Sequence, residues 1–420
     1  MKLIFRVEHL FFAGFFILLI KQPLRYFLGP AYLIVSLLGI IFCSLALSYN
    51  FKNIRFSKRE WVVVLSFLLM TLLDCLLLVV GKPGEFDRNL WFSGICQLLM
   101  SSLLFFYARS PGTWRFLKFS LSAVLAIELA LAFLQISYYS IGVGLPPLAE
   151  DYEEFSFVSG SFTNANDFSV FVAASCMALY SCWTLEGKNI RGYIFLGLSA
   201  MGVLASLSRT VFLFMLIFIF LAIFQSGRAA IRAPKRKSSV FLMVAILTIF
   251  LIFIFAASSD FFVNSSVFER SIARIGQVGE ITSDDSSAAR SIVYIRFLEN
   301  FFNLGWGTFA DLSYSSFFEP GDFYLMAINP HSFLVEMSFL YGWLGLIAAV
   351  CLIGALVVGI LKNSELPFSI RWLVGLSLIF FQSVPSSILT STSFFMPYLI
   401  LMCCRRRFLE KNYYSSGGIK

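Results

Sequence analysis

Residues 342–361 read GWLGLIAAVCLIGALVVGIL, a run of 20 residues without a charge. A hydrocarbon core about 30 Å thick needs about that many residues at roughly 1.5 Å each, so the run predicts a helix that crosses a bilayer. Working outward from it, similar apolar blocks occupy roughly 4–20, 30–48, 61–80, 90–107, 118–141, 167–184, 192–207, 210–225, 239–257, 369–386 and 389–404. The fold class expected is therefore all-α, a polytopic membrane protein with about 12 transmembrane helices. The first block begins with Arg6, Glu8 and His9, and no small-residue cleavage pattern precedes Lys21. It reads as a retained span and not as a removed signal peptide.

Composition agrees with this. The chain is 59% hydrophobic, 17% aromatic and 13% charged, against a charged fraction of about 25% in soluble globular proteins. The net charge of +8 has to be sorted by loop before it says anything about partners. With a cytoplasmic N-terminus, one face collects Lys2, Arg6, Lys52, Arg55, Lys58, Arg59, Arg109, Arg115, Lys118, Lys188 and Arg191. The same face takes Arg228, Arg232, Lys235, Arg236, Lys237, Lys362, Arg371, Arg405, Arg406, Arg407, Lys411 and Lys420, which makes 23 of the 32 basic residues. The positive-inside rule then places both termini in the cytoplasm, and the basic balance calls for no nucleic acid. The eight cysteines lie in or beside apolar blocks and read as small buried residues. Without a His or Cys cluster at metal-ligand spacing, neither a metal nor another cofactor is expected.

The longest stretch outside such blocks is 259–341, 83 residues between the ninth and tenth spans, and the charge sorting places it outside the cytoplasm. The organisation that follows is 1–258 for spans one to nine and 259–341 for a large helical periplasmic loop. Spans ten to twelve take 342–404, and 405–420 is a basic cytoplasmic tail. Within the loop, Asp285 or Ser286 can cap a helix that runs to about Phe302, with Gly305 as its left-handed stop. Arg290 and Arg296 are both on it, about 120° apart at roughly 100° per residue. Arg270 and Arg274, one turn apart among Val267, Phe268, Ile272 and Ile275, suggest an interfacial amphipathic helix.

Asn329-Pro330-His331 reads as a helix start, with Asn329 as N-cap and His331 in the first turn. There the positive end of the helix dipole attracts phosphate, although a lone histidine at such a place is also a common cap. The tight turn SLSRT (206–210) puts Arg209 at the outer membrane face, where it must snorkel, pair or bind an anion. GSFTNANDFSVF (160–171) ends an acidic outer loop, and Asn164 and Asn166 there either cap the sixth span or touch a sugar. Asp74 and Glu128 lie inside spans, as functional acids or as partners of a neighbouring arginine.

These segments together resemble the bacterial O-antigen ligase and O-antigen polymerase superfamily of glycan-assembly enzymes. GSFTNAND (160–167) resembles the family's Gly-x-Phe-x-Asn-x-Asn stretch, and SLSRT its Ser-x-Ser-Arg turn. RSIVYIRFLENFFNLGWG (290–307) resembles the arginine-to-Gly-x-Gly stretch of the large loop. NPHSFLVEMSFLYGWLGL (329–346) resembles the His-Asn-x-x-Leu run with a later Gly-x-x-Gly, although Ser332 stands where the family usually has asparagine. Arg296 to Gly307 fits the arginine, ten residues, glycine pattern of polymerases, while Arg290 fits the general family arginine.

The resemblance implies an enzyme of the bacterial inner membrane, with its active site facing the periplasm. Its donor would be an oligosaccharide on undecaprenyl pyrophosphate, and its acceptor a sugar hydroxyl of a growing glycan or of lipid A-core. Membrane lipids and a chain-length regulator complete the partners. The implied transfer is metal-independent and inverting, with His331, Arg290 and Arg209 catalytic and Arg296, Asn164, Asn166, Gly305 and Gly307 binding substrate. The residue types suit that chemistry on their own, since arginines stabilise a pyrophosphate leaving group and an imidazole can take the acceptor's proton. Polymerase is the first reading and ligase the alternative. A flippase-type transporter using Asp74 and Glu128 is the rival from another class.

Overall fold

The structure, a computed structural model, describes residues 7–80, 89–148, 158–186, 189–232, 285–305, 332–384 and 393–404. Among these every regular element is helical. The α-helices are α1 (Val7–Leu19), α2 (Lys21–Leu28), α3 (Tyr32–Asn50), α4 (Lys58–Val80), α5 (Asn89–Tyr107), α6 (Pro111–Ile141) and α7 (Ala165–Leu185). They continue with α8 (Asn189–Ala205), α9 (Arg209–Arg232), α10 (Asp285–Glu299), α11 (Phe333–Leu361), α12 (Phe368–Phe381) and α13 (Met396–Cys403). Lys21–Asn53, Gly112–Ile141, Ala165–Leu185 and Phe333–Leu361 are long and apolar enough to cross a membrane. Val7–Leu19, Phe92–Tyr107, Ile190–Ala205, Arg209–Gln225 and Phe368–Phe381 are shorter apolar helices. The expected span at 239–257 and the amphipathic helix around Arg270 and Arg274 lie outside the described residues.

Most long helices that follow one another in the chain run antiparallel, as the pairings of Gly94 with Thr71 and of Tyr180 with Tyr193 show, and such contacts define two ends of a bundle. Apolar burial adds little between helices in lipid, so close approach through small residues takes over. A Cβ on Gly14 would stand 2.8 Å from the Gly39 carbonyl and from Cys43 Sγ, which fixes α1 against α3. At the lower end, Lys118 pairs with Glu186 between the start of α6 and the end of α7. Also at that end, Gln225 Nε2 donates to Ser369 Oγ at 2.6 Å, and Asn363 Nδ2 donates to the Leu401 and Cys404 carbonyls, both at 2.9 Å. At the upper end lie the α6–α7 loop, the α8–α9 turn and the upper part of α4 with Asp74.

Helix α11 departs most from the sequence reading. It starts at Phe333, nine residues before the expected span, and is broken at Gly342 (φ 59°, ψ −143°), a conformation that is costly for any residue with a Cβ. Residues 333–341, assigned from sequence to the outer loop, form a buried arm of this helix. The Phe333 ring lies 5.4 Å from that of Phe395 and the Phe395 ring 5.7 Å from that of Phe67, whereas Tyr341 hydrogen-bonds Asp74 two turns higher on α4. The arm therefore climbs about 12 Å from mid-bundle to the upper end at roughly 1.5 Å per residue, turns at Gly342, and descends as 343–361. Gly345 packs against the arm it has just left, where a Cβ would stand 2.8 Å from Tyr341 Cβ. The Gly-x-x-Gly pattern is thus a chain reversal inside the bundle.

Candidate active site

The loop before α7 is fastened from below by two polar side chains of α6. Gln135 Oε1 accepts from the Ser159 and Gly160 N–H groups at 3.0 and 2.9 Å, and its Nε2 donates to the Gly160 carbonyl at 2.7 Å. Glu128 accepts from the Ser161 N–H at 2.9 Å and from the Ser161 hydroxyl. Gly160 has φ +57°, and a Cβ there would meet Glu128 Oε2 at 2.5 Å and the Phe168 ring at 2.7 Å. Asn164 then caps α7, its side chain accepting from the Asn166 N–H at 2.8 Å. Asn166 gives its carbonyl to Ser169 Oγ, and its half-buried side chain remains beside the helix start.

The turn between α8 and α9 is strained, with buried Leu207 at φ +61°, a conformation that costs a residue with a side chain about 1–2 kcal/mol. It delivers half-buried Arg209 as the first residue of α9. A cation is unfavourable at the positive end of a helix dipole unless an anion accompanies it. Leu129 and Phe168 both approach Gly202, so the end of α8 and the start of α7 stand side by side. Lower on α9, Phe214 packs against Phe380 and Phe381 of α12 with both ring pairs at 5.3 Å. Arg209 accordingly lies about 7 Å above that contact, at roughly 1.5 Å per residue.

The contact leads directly to the start of α11. Ser332 is the extended N-cap (φ −153°, ψ 119°), yet its hydroxyl does not cap the helix. Gln382, which ends α12, does this instead. Its carbonyl accepts from the Phe333 N–H at 2.9 Å, and its Oε1 accepts from the Leu334 N–H at 3.2 Å and from Ser332 Oγ at 3.4 Å. The expected helix start at Asn329 is thereby corrected: α11 begins three residues past Pro330, and His331 precedes the helix instead of occupying its first turn. Asn329, Pro330 and His331 themselves lie outside the described residues, as does Gly307.

Helix α10 forms where the sequence placed it and is described from Asp285 to Glu299, and a single 3-10 turn (Phe301–Asn303) follows. Gly305 stops it at φ +49°, and the Gly305 carbonyl accepts from the Trp343 N–H at 3.2 Å, tying the end of α10 to the top of the α11 turn. The two elements run parallel with constant register. The rings of Phe297 and Phe339 lie 6.2 Å apart and those of Phe301 and Trp343 4.9 Å apart, while Val293 and Val335 share the same buried cluster. One turn earlier, the same register sets the Arg290 backbone level with Ser332, and Arg296 level with Ser338. The Arg296 side chain forms an ion pair with Glu299 at 2.8 Å; that of Arg290 lies outside the described residues.

The two acids within spans both engage in internal hydrogen bonds. Glu128 fastens the loop before α7, and Asp74 accepts from the Tyr341 hydroxyl beside the Gly342 turn. Sequence reasoning missed Gln135, Glu336, Tyr341 and Gln382, each buried. The signal for Gln382 was an amide near the end of an apolar block, and for Glu336 a carboxylate in the otherwise apolar run FLVEMSF. In a membrane helix such groups must find partners.

No curated protein aligns significantly with the chain. A protein-family model described as O-antigen ligase matches residues 194–350, from within α8 to within α11. The matched stretch carries Arg209, Arg290, Arg296, Gly305, Gly307 and His331, whereas Asn164 and Asn166 precede it. Over that stretch the chain is similar to the O-antigen ligase family, and among its described residues, all of whose regular elements are helical, four helices are long and apolar enough to cross a membrane.

Proposed function

We propose that this protein is a 12-span membrane glycosyltransferase that joins lipid-linked oligosaccharide repeats into a surface polysaccharide at the outer face of the bacterial inner membrane. The donor carries undecaprenyl pyrophosphate, and the acceptor is a sugar hydroxyl of another repeat. The observation that carries this reading is the gathering of three helix starts in the upper half of the bundle. These are α7 at Asn164, α9 at Arg209 and α11 behind Ser332. Helix N-termini and arginines both favour an anion, as a pyrophosphate leaving group requires. The register of α10 on α11 favours Arg290 over Arg296 as the second phosphate ligand, because Arg290 is level with the residue after His331 and Arg296 is engaged with Glu299. In this reading Asn166 at the start of α7 serves the donor side, and His331 takes the acceptor proton.

Transfer to lipid A-core is the second reading, favoured by the matched family's description as O-antigen ligase. The Arg296-to-Gly307 spacing favours the polymerase. Both readings share the donor and the residues that hold it. A transporter loses its support, since Asp74 and Glu128 are engaged in internal hydrogen bonds.

The test is His331→Ala together with Arg209→Lys and Arg290→Lys in cells, followed by a lipid extract and a polysaccharide gel. His331→Ala is expected to lower transfer by about 100-fold or more, the usual size of a missing general base, and to leave single lipid-linked repeats on the outer leaflet. Lysine keeps the charge but loses the bidentate fork, so each lysine variant is expected to slow turnover. Long chains of normal amount in all three variants would refute the assignment. Repeats trapped on the inner leaflet would point back to transport.

A further inference from the structure

We infer that Gln382 is a positioning residue for the transfer reaction, holding the start of the α11 arm and with it the backbone that presents His331. The inference rests on the proposed role of His331. It starts from an unusual junction: the C-terminal end of α12 abuts the N-terminal end of the arm, and one residue satisfies both. Gln382 supplies a main-chain carbonyl to the Phe333 N–H and a side-chain oxygen to the Leu334 N–H and the Ser332 hydroxyl. Its own Nε2 donates to Ser383 Oγ at 2.6 Å, which orients the amide so that its oxygen faces the arm. Gln382 is 7% exposed and Ser332 3%, so little water can replace these bonds. An unsatisfied N–H in such surroundings is costly, which makes the junction hard to open.

The placement decides what the junction does. His331 is joined by one peptide bond to Ser332, whose hydroxyl and following two N–H groups all end on Gln382. From Phe333 the arm is fixed at its far end as well, by Tyr341 to Asp74 and by the Gly342 turn under Gly305. That upper attachment holds the arm against α4 and α10 but lies ten residues or more from His331 along the chain. Among the described residues Gln382 supplies the hydrogen bonds at the end next to it, beside the packing of Phe333 on Phe395, and a misplacement of about 1 Å at a reacting group is enough to cost roughly 100-fold in rate.

The experiment uses the full-length protein in lipid nanodiscs with a lipid-linked oligosaccharide donor, and measures kcat and KM for Gln382→Leu, Gln382→Glu and His331→Ala. Leucine removes the side-chain acceptor, and kcat is expected to fall about tenfold or more while the donor KM stays within about twofold, because the arginines are untouched. Glutamate keeps an oxygen at the same reach, so kcat is expected to recover to within about threefold of the parent. Should the leucine variant fail to accumulate in membranes, Gln382→Asn replaces it, since the shorter amide does not reach Leu334. A leucine or asparagine variant with parental kcat overturns the inference, as does a glutamate variant no better than leucine. A fully active His331→Ala protein would instead sink the reading of His331 on which the inference rests, and the two failures are told apart in one assay.

Discussion

Helices α7 and α11 both begin in the upper half of the bundle, and their first N–H groups are satisfied by opposite means. At α7 the cap is local: Asn164 accepts from the residue two ahead, and the loop leading to it is fastened to α6 by Gln135 and Glu128. At α11 the local candidate, Ser332, turns its hydroxyl away, and the bonds run to Gln382, 48 to 50 positions further along the chain. The first start forms wherever α7 forms. The second exists only once α12 has packed beneath the arm, so its geometry depends on the tertiary fold and can be changed from a distance.

The comparison is most severely tested at the local side by Gly160. Its φ of +57° and the crowding by Glu128 and Phe168 exclude a larger side chain. Gly160→Val is expected to destabilise the protein by about 3 kcal/mol or more, through strain and overpacking together. Gly305 has a similar φ of +49°, and among the described residues only the Asn303 carbonyl is near it, at 3.8 Å, so Gly305→Ala should cost about 1–2 kcal/mol, the left-handed penalty. Thermal unfolding of both variants in detergent checks the ranking, and equal losses would mean that crowding at Gly160 is relieved by a small shift of Phe168.

Glu128 comes next. Both its oxygens accept from Ser161, one from the N–H and one from the hydroxyl. Glu128→Leu leaves a buried N–H without a partner and is expected to cost about 2–3 kcal/mol. Glu128→Gln keeps one acceptor and offers an N–H to a hydroxyl that can turn round, so a loss of only about 1 kcal/mol is expected. If Glu128 instead carried protons for transport, the glutamine variant would abolish function at normal stability. Unfolding midpoints read beside polysaccharide output separate the two.

How much of this was legible depended on whether the cause lay near in sequence. The α10 helix, its stop at Gly305 and the cap at Asn164 follow from patterns spanning a few residues, and the structure has them close to where the sequence put them, whereas helices that cover apolar blocks can end several residues away, as Pro111–Ile141 does from 118–141 and Met396–Cys403 from 389–404. The start of α11 was misread because Asn329 and Pro330 form a strong local signal, whereas the actual partner of the helix end is Gln382. The arm 333–341 was assigned to a loop since the next uncharged run began at Gly342; Glu336 interrupts it, and an acid reads as solvent-facing until a packed neighbour is known. The register between α10 and α11, which separates Arg290 from Arg296, is invisible in one sequence because it is set by rings 42 residues apart.

The smallest expected effect is at Asn164, and it decides between the two roles the sequence left open. Only the side-chain oxygen of Asn164 is used in the cap, accepting from the Asn166 N–H. Aspartate presents the same oxygen and adds a charge that suits a helix N-terminus, so Asn164→Asp should leave stability within a few tenths of a kcal/mol. Alanine removes the acceptor, and Asn164→Ala should cost about 1 kcal/mol, the usual loss for a cap. If capping is its whole task, turnover in the aspartate variant stays within about twofold of the parent, since the helix start is intact. If the amide nitrogen also donates to the donor's phosphate or sugar, aspartate replaces that donor with a carboxylate facing an anion, and like charges at such a site repel. Donor KM would then rise steeply in the aspartate variant while its unfolding midpoint stayed put. The pair of measurements therefore separates the two roles: a KM that holds in aspartate assigns Asn164 to the fold, and a KM that rises at constant stability moves it beside Arg209 as a ligand of the donor.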